Sequence, residues 1–477
     1  MSLIGSTTMI TSPCAAKRCR FSMTRRATPA VRRVLRLLAV AGAAWLAGLA
    51  HEQSANAREQ SSGIDETHAR TLRYGPRVYG GTPTVEQLLS LGRKIFFDPK
   101  LSASGSMACV TCHSPQHAFA PPNELPVQLG GPDISRPGRR NPPSLKYLQY
   151  TIGFTEHYID DENGRGEDAG PTGGLTWDGR VNTPHDQALI PLFARHEMDN
   201  GSARELAARL RISPYAGEFR EAFSAPGEDV FDRPDQVLGW LTMALEVLQE
   251  SQPDFYPFDS KYDAFLRHQT SLDAQELRGL GLFNDPQKGN CASCHPSAVK
   301  ASGAFPLFTD AGYAALGVPR NAQIPANRDA ASYDLGLCGP LRTDLASKPA
   351  YCGLFKVPTL RNVALRSSFF HNGSFHSLRD VVEFYVQRDI APERWYPRDS
   401  DGSVRKFDDL PRVYHDNVNV DPPFAPLPGG EPRLTASEID DVVAFLNTLT
   451  DGYRASTARV SPASDIRSSC SSNHTVW

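Results

Sequence analysis

Two pentapeptides, Cys109-Val110-Thr111-Cys112-His113 and Cys291-Ala292-Ser293-Cys294-His295, carry residue types that can do chemistry together. Each reads C-x-x-C-H, the spacing for covalent attachment of a c-type haem. Two thiols three residues apart can reach neighbouring vinyl groups. The histidine that follows then lies under the ring as an axial ligand of the iron. The same cysteines could instead make a redox dithiol or a zinc site. The histidine directly after both pairs favours haem, so two covalently bound haem c groups are expected.

Helices must present these motifs. Thr84-Val85-Glu86-Gln87 makes a capping box, with Leu88, Leu91 and Ile95 following at helical spacing up to Phe97-Asp98-Pro99. Asp273-Ala274-Gln275-Glu276 opens a similar run through Leu277, Leu280 and Phe283 before the second motif. Leu91-Gly92 ahead of Phe97-Asp98-Pro99 is echoed by Leu280-Gly281 ahead of Asp285-Pro286. This weak repeat predicts two similar haem domains in tandem. Further helices are expected near Arg204–Leu210, Pro234–Leu248, Leu378–Tyr385 and Ala436–Leu449, the last capped by Thr435. Pro253 and Pro257 mark a boundary within 251–260. Few runs alternate with strand periodicity. The expected fold is mainly α with long loops: an extended segment at 58–80, a haem domain at 81–252, a second at 253–452 and a disordered tail at 453–477.

The first 57 residues read as a secretory signal. Arg25, Arg26, Arg32, Arg33 and Arg36 precede the apolar run Leu37 to Ala50, and Ala55-Asn56-Ala57 offers a cleavage site. The run is short for a membrane span, although an uncleaved anchor stays open. Met23 is the more ordinary start for such a signal. The expected location is the periplasm, with no stable membrane span after cleavage. Of the nine cysteines, Cys14 and Cys19 lie in the leader and four belong to the haem motifs. An exported protein can hold disulfides. Cys338 and Cys352 could close one, worth about 3 kcal/mol by loop entropy, while Cys470 sits in the polar tail. A net charge of -3 gives nucleic-acid binding no electrostatic support. Asp160, Asp161, Glu162, Glu167 and Asp168 form an acidic loop, read as solvated surface.

From Leu88 to Leu449 the chain resembles the bacterial dihaem cytochrome c peroxidases and MauG. The resemblance rests on Phe97-Asp98-Pro99 with the first haem motif, Arg140-Asn141-Pro142-Pro143, Trp177-Asp178-Gly179-Arg180 and His196-Glu197-Met198. It continues through the second haem motif, Pro358-Thr359-Leu360-Arg361-Asn362, His371-Asn372-Gly373 and the closing helix. It implies that peroxide reacts at the first haem, with His113 as proximal ligand, and that the second haem, on His295, transfers electrons. Some relatives place a movable histidine on the far side of the first iron. The loop from Ala120 to Arg140 has none, and His157 is the only alternative, against an ordinary surface histidine.

The resemblance also implies roles for other residues. Glu197 matches the acid–base group that moves a proton between the peroxide oxygens. Gln187 and Pro191 match residues lining that pocket. Trp177 matches a relay between the haems, where a lone tryptophan would otherwise read as core. Asn141 matches a ligand of a calcium ion, with backbone carbonyls near Arg366 and Ser368, where relatives often have threonine and proline. Tyr385 stands where ordinary peroxidases have a methionine as sixth ligand of the second haem, and MauG also has tyrosine. A phenolate favours higher oxidation states and lowers the potential that a thioether would raise. If Tyr385 were only a core tyrosine, Met198 or another residue would bind that iron. The implied function is peroxide-driven formation of high-valent haem and long-range oxidation of a substrate, read as a partner protein. The alternative is a conventional peroxidase reducing hydrogen peroxide with electrons from a small cytochrome c or cupredoxin.

Overall fold

The computed structural model describes residues 83–160 and 166–454. The expected leader, the segment at 58–80, Asp161 and Glu162 of the acidic loop, Cys470 and the tail beyond 454 lie outside the described residues.

The protein is mainly α. In chain order the helices are α1 (Val85–Phe97), α2 (Cys109–Cys112), α3 (Pro184–Phe193), α4 (Ala203–Arg211), α5 (Ala216–Phe223), α6 (Pro234–Gln249), α7 (Gln252–Phe255), α8 (Lys261–Leu266), α9 (Ala274–Asn284), α10 (Leu378–Gln387) and α11 (Ala436–Asn447). Among the described residues, strand is confined to three short antiparallel pairs. These are β1 (Leu129–Gly130) with β2 (Arg136–Pro137), β3 (Ile159–Asp160) with β4 (Glu167–Asp168), and β5 (Tyr313–Ala314) with β6 (Phe355–Lys356). No helix among them is long and apolar enough to cross a membrane.

The caps form as the sequence implies. Thr84, Asp273 and Thr435 each accept from the backbone three residues on, and Gln87, Glu276 and Glu438 reach back. Each such cap satisfies amides that the helix cannot bond internally. Helices α3, α5 and α8 were not expected. The first carries Pro191 inside it, a residue that reads as a breaker. The second has no side-chain cap, and the third closes its box with Asp263 instead of the usual glutamate or glutamine.

One hydrophobic cluster draws on residues from Leu88 to Phe255, and another on residues from Tyr262 to Leu449. Each buried Leu or Phe in them contributes about 1.5–3 kcal/mol. In the first cluster α1 crosses α6, and in the second α9 crosses α11. Both crossings depend on a glycine. A Cβ on Gly92 would lie 2.2 Å from the Ala244 carbonyl oxygen, and one on Gly279 would lie 2.0 Å from that of Asp441. The internal repeat therefore keeps the Asp98-Pro99 to Asp285-Pro286 match and differs from the sequence echo only in its Leu-Gly half. Gly92 corresponds to Gly279 and buried Phe96 to buried Phe283, whereas a Cβ on Gly281 would meet nothing within 4 Å.

Polar contacts join the two clusters. Arg361 donates to both carboxylate oxygens of Asp263 at 2.9 Å, with both side chains fully buried. Its guanidinium also lies over the Tyr147 ring at 4.7 Å. The Tyr147 hydroxyl donates to Asp451 at 2.6 Å, and Lys146 and Asn362 donate to the same carboxylate.

Candidate functional site

A cavity of about 1290 Å³ runs between the clusters and is lined by both C-x-x-C-H motifs. It also takes in Asn141, Trp177, Gln187, Pro191, Glu197 and Tyr385. Three predicted residues lie elsewhere. His157 is at the surface, 73% exposed, with its Nδ1 2.7 Å from Asp168, so it is not a ligand inside the cavity. Cys338 and Cys352 are buried and joined as a disulfide.

The two histidines are held alike. His113 Nδ1 donates to the Phe119 carbonyl at 3.0 Å, and His295 Nδ1 to the Phe308 carbonyl at 2.8 Å. Each bond fixes the tautomer and leaves Nε2 as the ring nitrogen available for a metal. Burial pulls both imidazoles down to about 4. They are thus neutral, as ligation requires. The four motif thiols are unpaired. Burial pushes Cys109, Cys112 and Cys291 up to about 12 and raises Cys294 as well. Redox dithiols need the opposite shift. Unpaired thiols, neutral imidazoles and a large, mostly apolar cavity fit two haem groups.

Glu197 sits on the turn that follows α3, where its N–H donates to Ala194 and the Met198 N–H to Pro191. The β1–β2 hairpin packs beneath it. Gly131 N–H donates to the Glu197 carbonyl at 2.7 Å, and a Cβ on Gly130 would lie 2.8 Å from the Glu197 Cα. The carboxyl keeps 36% of its side-chain surface, and that surface opens on the cavity. Burial pushes the group up to about 7, against the opposing charge of Arg180. Its charge raises both Cys109 and Cys112, which places it on the first motif's side. Met198 is buried in the first cluster, with its backbone tied to Ala103.

Trp177 is fixed at both ends. Its indole N–H donates to the Asn141 carbonyl at 2.7 Å, and its own carbonyl accepts from Lys356 N–H on β6 at 2.9 Å. The next residue, Asp178, is fully buried and accepts from Arg140, Arg180 and Thr176. This knot holds the loop that carries the indole.

Tyr385 projects from α10 on the second motif's side. Its ring stacks on Phe424 at 5.0 Å, and its hydroxyl makes no hydrogen bond among the described residues. Burial first, then the Cys294 and Cys291 thiols, raise it far above an ordinary phenol. Such a hydroxyl keeps its proton unless a cation meets the oxygen.

Three groups went unassigned from sequence. His371, pulled down to about 4 by burial, stacks on Phe355 at 3.6 Å and meets Trp177 edge-on at 6.5 Å. Lys356 lines the cavity, and burial brings its ammonium down to about 8. It could meet the carboxylates of a haem. Arg366 reaches into the place where calcium was expected. It donates to the Asn141 side-chain oxygen, the Pro142 carbonyl and the Ser368 carbonyl, each at 3.2 Å. A guanidinium on those oxygens leaves no room for a metal ion, so the residues present do not fit calcium. Lys356 gave no sequence signal because its significance lies only in what surrounds it, and Arg366 stood out only as a residue unlike the threonine expected beside a calcium ion.

Residues 86–271 match the family model described as di-haem cytochrome c peroxidase. The chain is 32% identical over 382 residues to methylamine utilization protein MauG of Paracoccus denitrificans, spanning 77% of this chain and 90% of that protein. It is 27% identical over 319 residues to cytochrome c551 peroxidase of Pseudomonas aeruginosa, spanning 66% and 77%. The fold is similar to the crystal structure of the diheme peroxidase BthA from Burkholderia thailandensis. There the TM-score is 0.67 at 40% identity, covering 76% of this chain and 86% of that one.

Proposed function

The chain belongs to the di-haem cytochrome c peroxidase family that includes MauG, and on that premise we propose a periplasmic enzyme that uses hydrogen peroxide to oxidise a partner protein at long range. The carrying observation is Tyr385, a partly buried side chain whose unpartnered hydroxyl lines the cavity on the second motif's side.

Two covalently held haem c groups, one in each of two haem domains, would supply the redox chemistry, accepting two electrons' worth of oxidation from peroxide. Cys109 and Cys112 would bond the first haem and His113 would hold its iron. Cys291, Cys294, His295 and Tyr385 would hold the second. Glu197 takes the proton from the attacking peroxide oxygen and returns it to the leaving oxygen, which departs as water. A carboxyl with its value near 7 suits both halves of that transfer. Trp177 passes an electron between the two sites, its indole held in place by Asn141 and Lys356. Gln187 and Pro191 line the peroxide side of the cavity.

The second reading is a conventional peroxidase fed by a small cytochrome or cupredoxin, in keeping with the cytochrome c551 peroxidase likeness. Mixing the haem-loaded protein with peroxide and reduced cytochrome c separates the two. The proposal expects slow turnover, and a long-lived spectral change when peroxide is added alone. Rapid oxidation of the cytochrome would sink it.

A further inference from the structure

Asn141 is fully buried, and all its polar atoms are engaged. Its N–H donates to the His371 carbonyl at 2.7 Å, and its carbonyl accepts from Trp177 at 2.7 Å. Its side-chain amide donates to the Ser368 hydroxyl at 2.8 Å, and its side-chain oxygen accepts from Arg366 at 3.2 Å. Arg366 and Ser368, the positions at which the resemblance leads one to expect threonine and proline, thus engage opposite ends of one amide.

We propose that the Arg366 guanidinium is a built-in cation that takes the place of the calcium ion. Three neutral oxygens converge on it, from Asn141, Pro142 and Ser368. Oxygens of this type, side-chain amide and backbone carbonyl, are also what calcium selects. No carboxylate pairs with the guanidinium among the described residues, and these three oxygens are its hydrogen-bond acceptors there. The Ser368 hydroxyl completes the arrangement by taking the amide N–H₂, which turns the Asn141 oxygen toward the cation. An ion in the same cage needs six to eight oxygens at about 2.3–2.6 Å, and the guanidinium fills that space. The tethered charge then does an ion's structural work. It ties 366–368 to 141–142 and, through the Asn141 carbonyl, sets the acceptor for Trp177. It cannot dissociate, so the site does not respond to calcium in the medium.

The test is metal analysis of the haem-loaded wild type after dialysis against calcium, with absorbance and melting temperature recorded with and without chelator. The inference expects no stoichiometric calcium and no chelator effect on either readout. One calcium per chain whose removal changes the haem spectrum would overturn it. Arg366→Thr is the complementary variant. It should melt lower in chelator than the wild type and recover when calcium is added. A variant as stable as the wild type in chelator would also overturn the inference, because the cage would then need no cation.

Discussion

The Asn141 carbonyl accepts the Trp177 indole N–H at 2.7 Å, while the Asn141 side chain faces Arg366. One buried asparagine therefore couples the Trp177 ring, which lines the cavity shared by both C-x-x-C-H motifs, to a fixed positive charge. Trp177→Phe keeps an aromatic ring, though a smaller one, and removes that hydrogen bond. The expected result is retention of both haems with slower sharing of oxidising equivalents after peroxide addition, read by stopped-flow absorbance.

Glu197→Gln should slow the reaction with peroxide by about 10²–10⁴-fold, the usual worth of a positioned acid–base group. The wild-type rate should rise as pH increases through about 7, where the carboxyl ionises, and the variant should lose that dependence. Stability moves in the opposite sense. The folded carboxyl holds its proton more tightly than the unfolded chain does. Its favourable contribution is complete below 4.5 and lost as pH rises through about 7. A variant rate equal to that of the wild type at every pH would remove Glu197 from the chemistry.

Tyr385→Met should raise the potential of the second haem and change its ligand signature in electron paramagnetic resonance, because a thioether stabilises the reduced iron. Unchanged spectra would mean that Tyr385 binds no iron and is only packing against Phe424.

Gly279→Ala places a methyl group 2.0 Å from the Asp441 carbonyl at the α9–α11 crossing. Overpacking of this kind costs about 1–3 kcal/mol, seen as a lower urea midpoint. Gly281→Ala, two residues on, has open space and should leave the midpoint unchanged or raise it. Equal effects of the two would refute the glycine crossing.

Asp263→Asn breaks a pair in which both side chains are fully buried, leaving the Arg361 charge without its partner. The expected loss is about 3–5 kcal/mol, measured by denaturant unfolding. Burial acts to raise the Asp263 carboxyl, but the Arg361 bonds outweigh it and hold the group below 3.8. This contribution to stability is present above that value and lost as pH falls through the lower folded value.

Local rules determined much of the protein. The spacing of Cys109, Cys112 and His113, and of Cys291, Cys294 and His295, pointed to haem, because that signal needs only five contiguous residues. Thr84, Asp273 and Thr435 marked three helix starts, because capping is a contact within one turn. Tertiary structure decided what depends on distant partners. The pairing of Gly92 with Gly279 was hidden because a close helix crossing is a property of two helices, and the sequence echo alone favoured Gly281. Helix α3, which delivers Gln187 and leads to Glu197, was masked by Pro191. The cation site was the least legible. Arg366 lies 225 residues from Asn141, and in the sequence it marks only a departure near an expected calcium ligand until the fold closes three oxygens around it.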